Sequence, residues 1–389
     1  MAVNCLNNAF ESIYADNAAT TVLSKDALEA MIPFYTQYYG NPSSRHELSR
    51  KPKQALSECR EIISKIINCD PDQVYFTSGG TESDNWAIKG VMLNNAKKKI
   101  ITSSIEHHAI IEACRSLSSD GYSTIFLPVD SYGLIDKKSL EESLSEDVGL
   151  VSIMHANNEI GSVQDLKSIS SIIHSHGIVF HSDTVQSVGH IKLDVKEMGL
   201  DLISASAHKF NGPKGVGFLF CSDEVDLKPL MLGGQQQNRM RAGTENVPGI
   251  VGMTAALSNN ILNLSSNQKH LYDLENAFLS TLSDYSLDYR LNSNSSSKLP
   301  GLISISFNGI SGESLADILS LKHAYVSTGA ACDSKNTQIS HVLAAIGLDH
   351  KYAKGTIRVS FGINNTVNEA TSLAKMIAGV VSFLSNTPL

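Results

Sequence analysis

The chain has 389 residues, 42% hydrophobic and 18% charged, enough apolar content to bury the core of one large or two ordinary domains. Its 31 Lys and Arg stand against 39 Asp and Glu, a net charge of −8, which argues against a broadly basic nucleic-acid or anionic-membrane binder. No apolar run approaches a membrane span, and no cationic segment followed by an apolar stretch opens the chain. The expectation is a cytoplasmic protein with no membrane association and no direct nucleic-acid partner.

In chain order, β-like and α-like segments alternate over the first two-thirds. Residues 73–78 read as a strand and 81–96 as a helix, with Ala87, Ile88, Val91 and Met92 as its apolar positions. Strands follow at 99–103, 124–129, 150–155, 178–182 and 201–206, with helices at 108–118 and 166–176. A Gly-rich turn at 211–215 leads into a further strand at 216–221. Such alternation predicts an α/β fold, a mainly parallel sheet covered by helices on both faces. After a helix at 246–262 the composition shifts, and 264–268 and the polar tract 292–298 read as linker or loop. Strands at 301–307 and 356–361, with helices at 313–321, 339–346 and 367–384, read as a smaller α+β domain.

Six cysteines (Cys5, Cys59, Cys69, Cys114, Cys221 and Cys332) show no C-x-x-C or zinc-finger spacing, so neither a disulfide framework nor a structural metal is expected. Four segments carry chemistry. In Phe76-Thr-Ser-Gly-Gly-Thr-Glu-Ser-Asp84 a strand ends in Gly-Gly, and the capping-box-like spacing of Thr81 and Asp84 places a helix start at Thr81. Free N–H groups there suit a phosphate, and without a Walker A or G-x-G-x-x-G pattern a nucleotide is not its favoured owner. In residues 204–215, Lys209 follows a strand of small residues, where a partly desolvated amine can form a Schiff base, with Ser206 and His208 beside it as phosphate ligands. A surface lysine in a loop is the plainer alternative. In residues 179–186 a strand ends on Asp183, which can pair with a protonated pyridoxal ring nitrogen or simply cap a turn. In residues 326–334, Cys332 sits among small residues that make poor helix and poor core, so its thiol can ride on an exposed loop, although Asp333 opposes thiolate formation. The other five cysteines read as core.

Together these segments resemble the cysteine desulfurases of the NifS/IscS type, within the class V aminotransferase group of pyridoxal phosphate enzymes. Further matching blocks are Tyr14-Ala-Asp-Asn-Ala-Ala-Thr-Thr21, Gly40-Asn-Pro-Ser-Ser-Arg-His46, His155-Ala-Asn-Asn-Glu-Ile-Gly161, Arg241-Ala-Gly-Thr-Glu-Asn246 and Gly355-Thr-Ile-Arg-Val-Ser360. The resemblance implies a fold-type-I enzyme. Residues 17–262 would form a large cofactor-binding domain around a seven-stranded sheet, and 1–16 with 263–389 a small domain carrying the Cys332 loop. It implies pyridoxal 5'-phosphate as cofactor, held by Lys209, paired through its ring nitrogen with Asp183 and stacked against His107. Gln186 would reach the ring hydroxyl, and Asn158 would lie beside the cofactor and the substrate carboxylate. Gly80, Thr81, Ser206 and His208 would bind the phosphate. Thr244 matches a residue that completes the phosphate site of the other subunit, implying a homodimer.

The resemblance further gives Arg358 the substrate carboxylate and Cys332 the sulfur. The implied reaction converts L-cysteine to L-alanine, with Lys209 and His107 moving protons and a persulfide forming on Cys332. A sulfur-acceptor protein, an iron–sulfur scaffold or a thiolation enzyme, would then take the sulfur. A selenocysteine lyase, a class V transaminase and a sulfur donor for DNA phosphorothioation are the alternatives. Two departures stand out. Residues 327–333 read Ser-Thr-Gly-Ala-Ala-Cys-Asp in place of the family's Ser-Ser-Gly-Ser-Ala-Cys-Thr. Gly-Gly-Gln-Gln-Gln-Asn at 233–238 replaces Gly-Gly-Gly-Gln-Glu-Arg, losing a charged pair near Thr244.

Overall fold

The computed structural model describes residues 12–93, 95–293, 296–328 and 339–385; Cys5 and Cys332 lie outside them. After β1 (Ile13–Tyr14), helices α1 (Lys25–Thr36) and α2 (Arg50–Ile67) precede an alternating series. It runs β2 (Val74–Thr77), α3 (Gly80–Met92), β3 (Lys99–Ser103), α4 (His108–Ser116), β4 (Ser123–Leu127), α5 (Lys137–Ser143) and β5 (Val148–Ser152). It continues through α6 (Leu166–His174), β6 (Val179–Asp183), α7 (Val195–Met198), β7 (Leu202–Ser206) and β8 (Gly217–Cys221). Strands β2 to β8 form one seven-stranded sheet in the order β2-β8-β7-β6-β5-β3-β4. Only β8 runs against its neighbours, so the sheet is mainly parallel, as expected from the alternation.

Burial explains why these segments are strands. Val-Gly-Leu-Val-Ser in β5 and Gly-Phe-Leu-Phe-Cys in β8 are buried at every position, which requires cover on both faces. One apolar core joins the sheet to α2 and α6 through Ile63, Ile67 and Ile169. Another gathers Trp86 and Ile88 of α3 with Ile110 of α4. The chain then enters α8 (Val247–Leu262), α9 (Leu264–Ser283), β9 (Tyr289–Leu291), β10 (Leu302–Phe307), α10 (Gly312–Leu321) and β11 (Ala324–Tyr325). It ends in α11 (His341–Ala345), α12 (His350–Ala353), β12 (Thr356–Ser360) and α13 (Val367–Ser385). Strands β12, β10 and β9 make a second, antiparallel sheet with its own core around Phe278, Phe307, Ile357 and Ile377. β1 pairs in parallel with β11, tying the start of the chain to this second unit.

Two local expectations are corrected. Residues 264–268 are not a linker but the first turn of α9, whose apolar positions Leu271, Leu274, Phe278 and Leu282 come only later. Helix α3 does not start on a Thr81–Asp84 cap. Its N-cap is Gly79 at φ 147°, where a side chain is strained, and Glu82 satisfies the Ser78 N–H at 2.8 Å. Among the described residues no helix is long and apolar enough to cross a membrane.

Candidate active site

The carboxyl ends of β6 and β7, the starts of α3 and α4, and Arg358 of β12 converge on one cavity of about 550 Å³. Ligands in open parallel sheets bind beyond the strand ends for this reason: the loops there leave backbone and side-chain polar groups unclaimed. At one end the chain turns at Gly79-Gly80 against β7. A Cβ on Gly79 would lie 3.3 Å from the Ser206 hydroxyl, and one on Gly80 only 2.6 Å from Val185 Cγ2. The first-turn N–H groups of α3, Thr81, Ser206 and His208 line this end. His208 donates to or accepts from Thr20 Oγ1 at 3.1 Å, and burial, then Lys209 and Lys214, push its pKa down to about 4, so it is neutral.

Lys209 follows β7 directly, and its Nζ donates to the carbonyls of Ala18 (2.6 Å) and Ala19 (2.9 Å). Gln186 Nε2 donates to the same Ala18 carbonyl at 2.9 Å. His107 is the N-cap of α4. Its Nδ1 accepts from Ala109 N–H at 3.1 Å, which leaves the ring proton on Nε2. Burial lowers its pKa, partly offset by Asp183.

Asp183 closes β6, buried, with Oδ1 accepting from Val185 N–H at 2.9 Å. Burial raises its pKa, while His107 and Lys209 pull it back. Beneath it lies Asp84 of α3: polar atoms of Asp84, His107 and Asp183 all fall within 4.8 Å of one another. Asp84 Oδ1 is buried with no hydrogen-bond partner among the described residues, and burial, then Asp183, hold its pKa well above the usual carboxylate range. Glu106, pushed up to about 8 by burial, accepts from Ser103 Oγ (2.6 Å) and Met154 N–H (2.9 Å). This end has a surplus of buried carboxyl groups.

At the opposite end Arg358 is 4% exposed. Its Nη1 donates to the Asn158 carbonyl at 2.8 Å and its Nη2 to Asp16 Oδ1 at 2.6 Å. Ser327 exchanges two backbone hydrogen bonds with Arg358, at 2.7 and 3.1 Å. On the far side of residues 329–338, Ser340 donates to Glu159, and His341 Nε2 lies 2.9 Å from the Glu106 carbonyl. The described residues that flank Cys332 are thus fastened to the cavity wall.

The donor set fits pyridoxal 5'-phosphate. A buried carboxyl pair at Asp183 and Asp84 suits a protonated ring nitrogen, a helix start built of two glycines suits the phosphate, and an amine at Lys209 suits the aldehyde. Lys209, Asp183, His107, Gln186, Asn158, Gly80, Thr81, Ser206, His208 and Arg358 all line the cavity. Thr244 does not, lying exposed on the loop before α8.

The Gln237 departure is not a loss of contact. Gln237 is buried, accepts from Arg60 and from Phe76 N–H, and donates to Glu245. Arg241 in the same loop grips Glu82 of α3 at 2.8 and 3.0 Å, tying the Thr244 loop to the glycine turn. Among the described cysteines, Cys59, Cys114 and Cys221 are buried and Cys69 is half-buried. Burial raises the first to about 11 and the others to about 12, keeping all four as thiols. Sequence reasoning assigned nothing to Asp16, to the Ala18 and Ala19 carbonyls, or to Glu106. Asp16, Ala18 and Ala19 lie inside the matching block Tyr14–Thr21, and Glu106 directly precedes His107.

The aminotransferase class-V family model matches residues 13–373. Cysteine desulfurase IscS of Dictyoglomus turgidum is 44% identical over 374 residues, covering 96% of this chain and 95% of that protein. A solved NifS-like protein superposes with a TM-score of 0.90 at 37% identity, covering 96% of this chain and all of that one. SspA in complex with cysteine superposes with a TM-score of 0.82 at 33% identity, covering 91% of this chain and all of that one. With the cavity assembled as described, the chain belongs to the class-V aminotransferase family, whose members work with pyridoxal 5'-phosphate.

Proposed function

We propose that this enzyme is a cysteine desulfurase, converting L-cysteine to L-alanine and passing the sulfur to Cys332. One observation carries the reading: a lysine, a buried carboxylate and a buried arginine face one cavity, and the chain that brackets Cys332 is anchored to its wall. Relatives at 40–44% identity bear the name cysteine desulfurase, and the similar SspA has been solved with cysteine.

Asp183 would hold the ring nitrogen of pyridoxal 5'-phosphate and the start of α3 its phosphate, and the bound cofactor would supply an electron sink at the substrate Cα. Arg358 orients the substrate carboxylate through its planar fork, with the Asn158 backbone fixing the guanidinium. Lys209, positioned by the Ala18 and Ala19 carbonyls, moves the Cα proton. His107 offers Nε2–H as the second proton donor, its ring fixed by Ala109. The Cys332 thiolate attacks the substrate sulfur, the carbon–sulfur electron pair stays with carbon, and protonation there gives L-alanine. Thr244, exposed in the single chain, is read as completing the phosphate site of a second copy in a cytoplasmic homodimer. The separate cores of the two sheets support the division into 17–262 and 1–16 with 263–389. A protein of iron–sulfur assembly or thiolation is the proposed sulfur acceptor.

Incubating the holoenzyme with L-cysteine and a reducing thiol should give L-alanine and sulfide in equal amounts. Absence of both would overturn the reading, and pyruvate-dependent amino transfer would replace it with transamination.

A further inference from the structure

Among the described residues Arg358 has one ionic partner and one nitrogen with no acceptor. Its Nη2 meets Asp16 Oδ1 at 2.6 Å, with the two side chains 5% and 22% exposed. Its Nη1 donates to the Asn158 carbonyl, and its Nε is buried with no hydrogen-bond partner among the described residues. A buried donor left unpaired is destabilising, so the free Nε marks a place where an acceptor is favoured.

Asp16 is not a casual neighbour. It bridges to Ser360, two residues beyond Arg358, and its flanks are pinned to the same strand. Ser360 N–H donates to the Ala15 carbonyl at 2.8 Å, and Asn17 N–H donates to the Ser360 carbonyl at 3.1 Å. Backbone pairing therefore delivers the Asp16 carboxylate to the guanidinium. Asp16 does not line the cavity, whereas Arg358 does.

A substrate carboxylate that takes the edge bearing the unpartnered Nε with two parallel bonds uses Nε–H and one N–H of an adjacent nitrogen. With Nη1 on Asn158, that nitrogen is Nη2, one of whose two N–H groups is already on Asp16. Two carboxylates on one buried guanidinium repel each other. We propose that Asp16 is a positioning residue whose carboxylate opposes the substrate carboxylate at Nη2 of Arg358, so that two like charges contend for one buried guanidinium. This rests on the reading of Arg358 as the substrate-carboxylate clamp. Asp16 neutralises and orients the guanidinium, and it holds the affinity for substrate and product carboxylates below what Arg358 alone would offer.

The test measures equilibrium binding of L-alanine and of L-alaninamide, which lacks the carboxylate, to the holoenzyme through the cofactor's visible absorbance. Asp16→Asn should bind L-alanine at least about threefold more tightly, because the competing charge is gone, and leave L-alaninamide unchanged. KM for L-cysteine should fall by more than kcat changes. Asp16→Ser, which also removes the charge but cannot reach Nη2, should act in the same direction. Arg358→Lys should weaken L-alanine by about tenfold. If neither Asp16 variant tightens L-alanine while Arg358→Lys still weakens it, the opposition by Asp16 is overturned and the clamp stands. If Arg358→Lys leaves L-alanine binding unchanged, both are overturned.

Discussion

The two ends of the cavity hold charge in opposite ways. At the Asp183 end, Asp183, Asp84 and Glu106 are buried together, burial raises the pKa of each, and the nearby His181 is no counter-ion. That imidazole is fully buried between Ser152 and Ser204 and pushed down to about 3. At the Arg358 end, among the described residues, the guanidinium is matched by one carboxylate, that of Asp16. On the proposed reading, an end with surplus buried carboxyls would be completed by a cationic ring nitrogen, which would let Asp183 ionise. An end that is already balanced would set any second carboxylate against the first. Cofactor retention and substrate affinity should therefore respond to different residues.

Lys209→Ala should break the account most severely. Turnover should fall by at least about 10³-fold, and the absorbance of lysine-linked cofactor should vanish. Covalent fixation of cofactor to that variant by borohydride would contradict the assignment. Asp183→Asn keeps the shape but removes the charge that pairs with the ring nitrogen. It should lose about 10²-fold in turnover and release cofactor more readily on dialysis. Near-normal turnover would mean that this end does not depend on the pair.

Arg358→Lys probes the other end. KM for L-cysteine should rise about tenfold, roughly 1.4 kcal/mol, because a point ammonium cannot make two parallel bonds. A change within about twofold would remove Arg358 from substrate binding. The gentlest probe is Glu106→Gln. The Glu106 carboxyl, raised to about 8 by burial, keeps a proton that the unfolded chain gives up near 4.5, so the fold loses stability as pH rises between those values. Gln keeps the acceptor for Ser103 and Met154 and does not ionise. The variant's melting temperature relative to wild type should increase from pH 5 to pH 8; a difference independent of pH would mean that Glu106 is not held protonated.

Much of this site was readable because its chemistry sits at strand ends. The strand that stops on Asp183 and the small-residue strand before Lys209 carry their signal locally, in short buried runs, Val-Phe-His-Ser-Asp and Leu-Ile-Ser-Ala-Ser, that open apolar and end polar. The start of α3 misled because Thr81 and Asp84 have the spacing of a cap. Only the fold shows that Glu82 reaches back to Ser78 while Asp84 turns inward. The first turn of α9 looked like linker because Ser265, Ser266 and Asn267 are polar and its buried face begins at Leu271. Helix α2 was legible in principle, with Ala55, Cys59, Ile63 and Ile67 at helical spacing. Asp16 was not, since its partner lies 342 residues away and pairing at that separation leaves no local pattern.

The central claim is that sulfur leaves L-cysteine onto Cys332, and mapping the sulfur tests it most directly. After the holoenzyme is mixed with L-cysteine and alkylated, peptide mass analysis should place one extra sulfur on Cys332 and none on Cys59, Cys69, Cys114 or Cys221, whose thiols burial keeps protonated. Cys332→Ser should still bind L-cysteine yet lose alanine formation by at least about 10²-fold, roughly 2.7 kcal/mol. Extra sulfur on another cysteine, or wild-type turnover in the serine variant, would contradict the account and point to a lyase that releases sulfur directly.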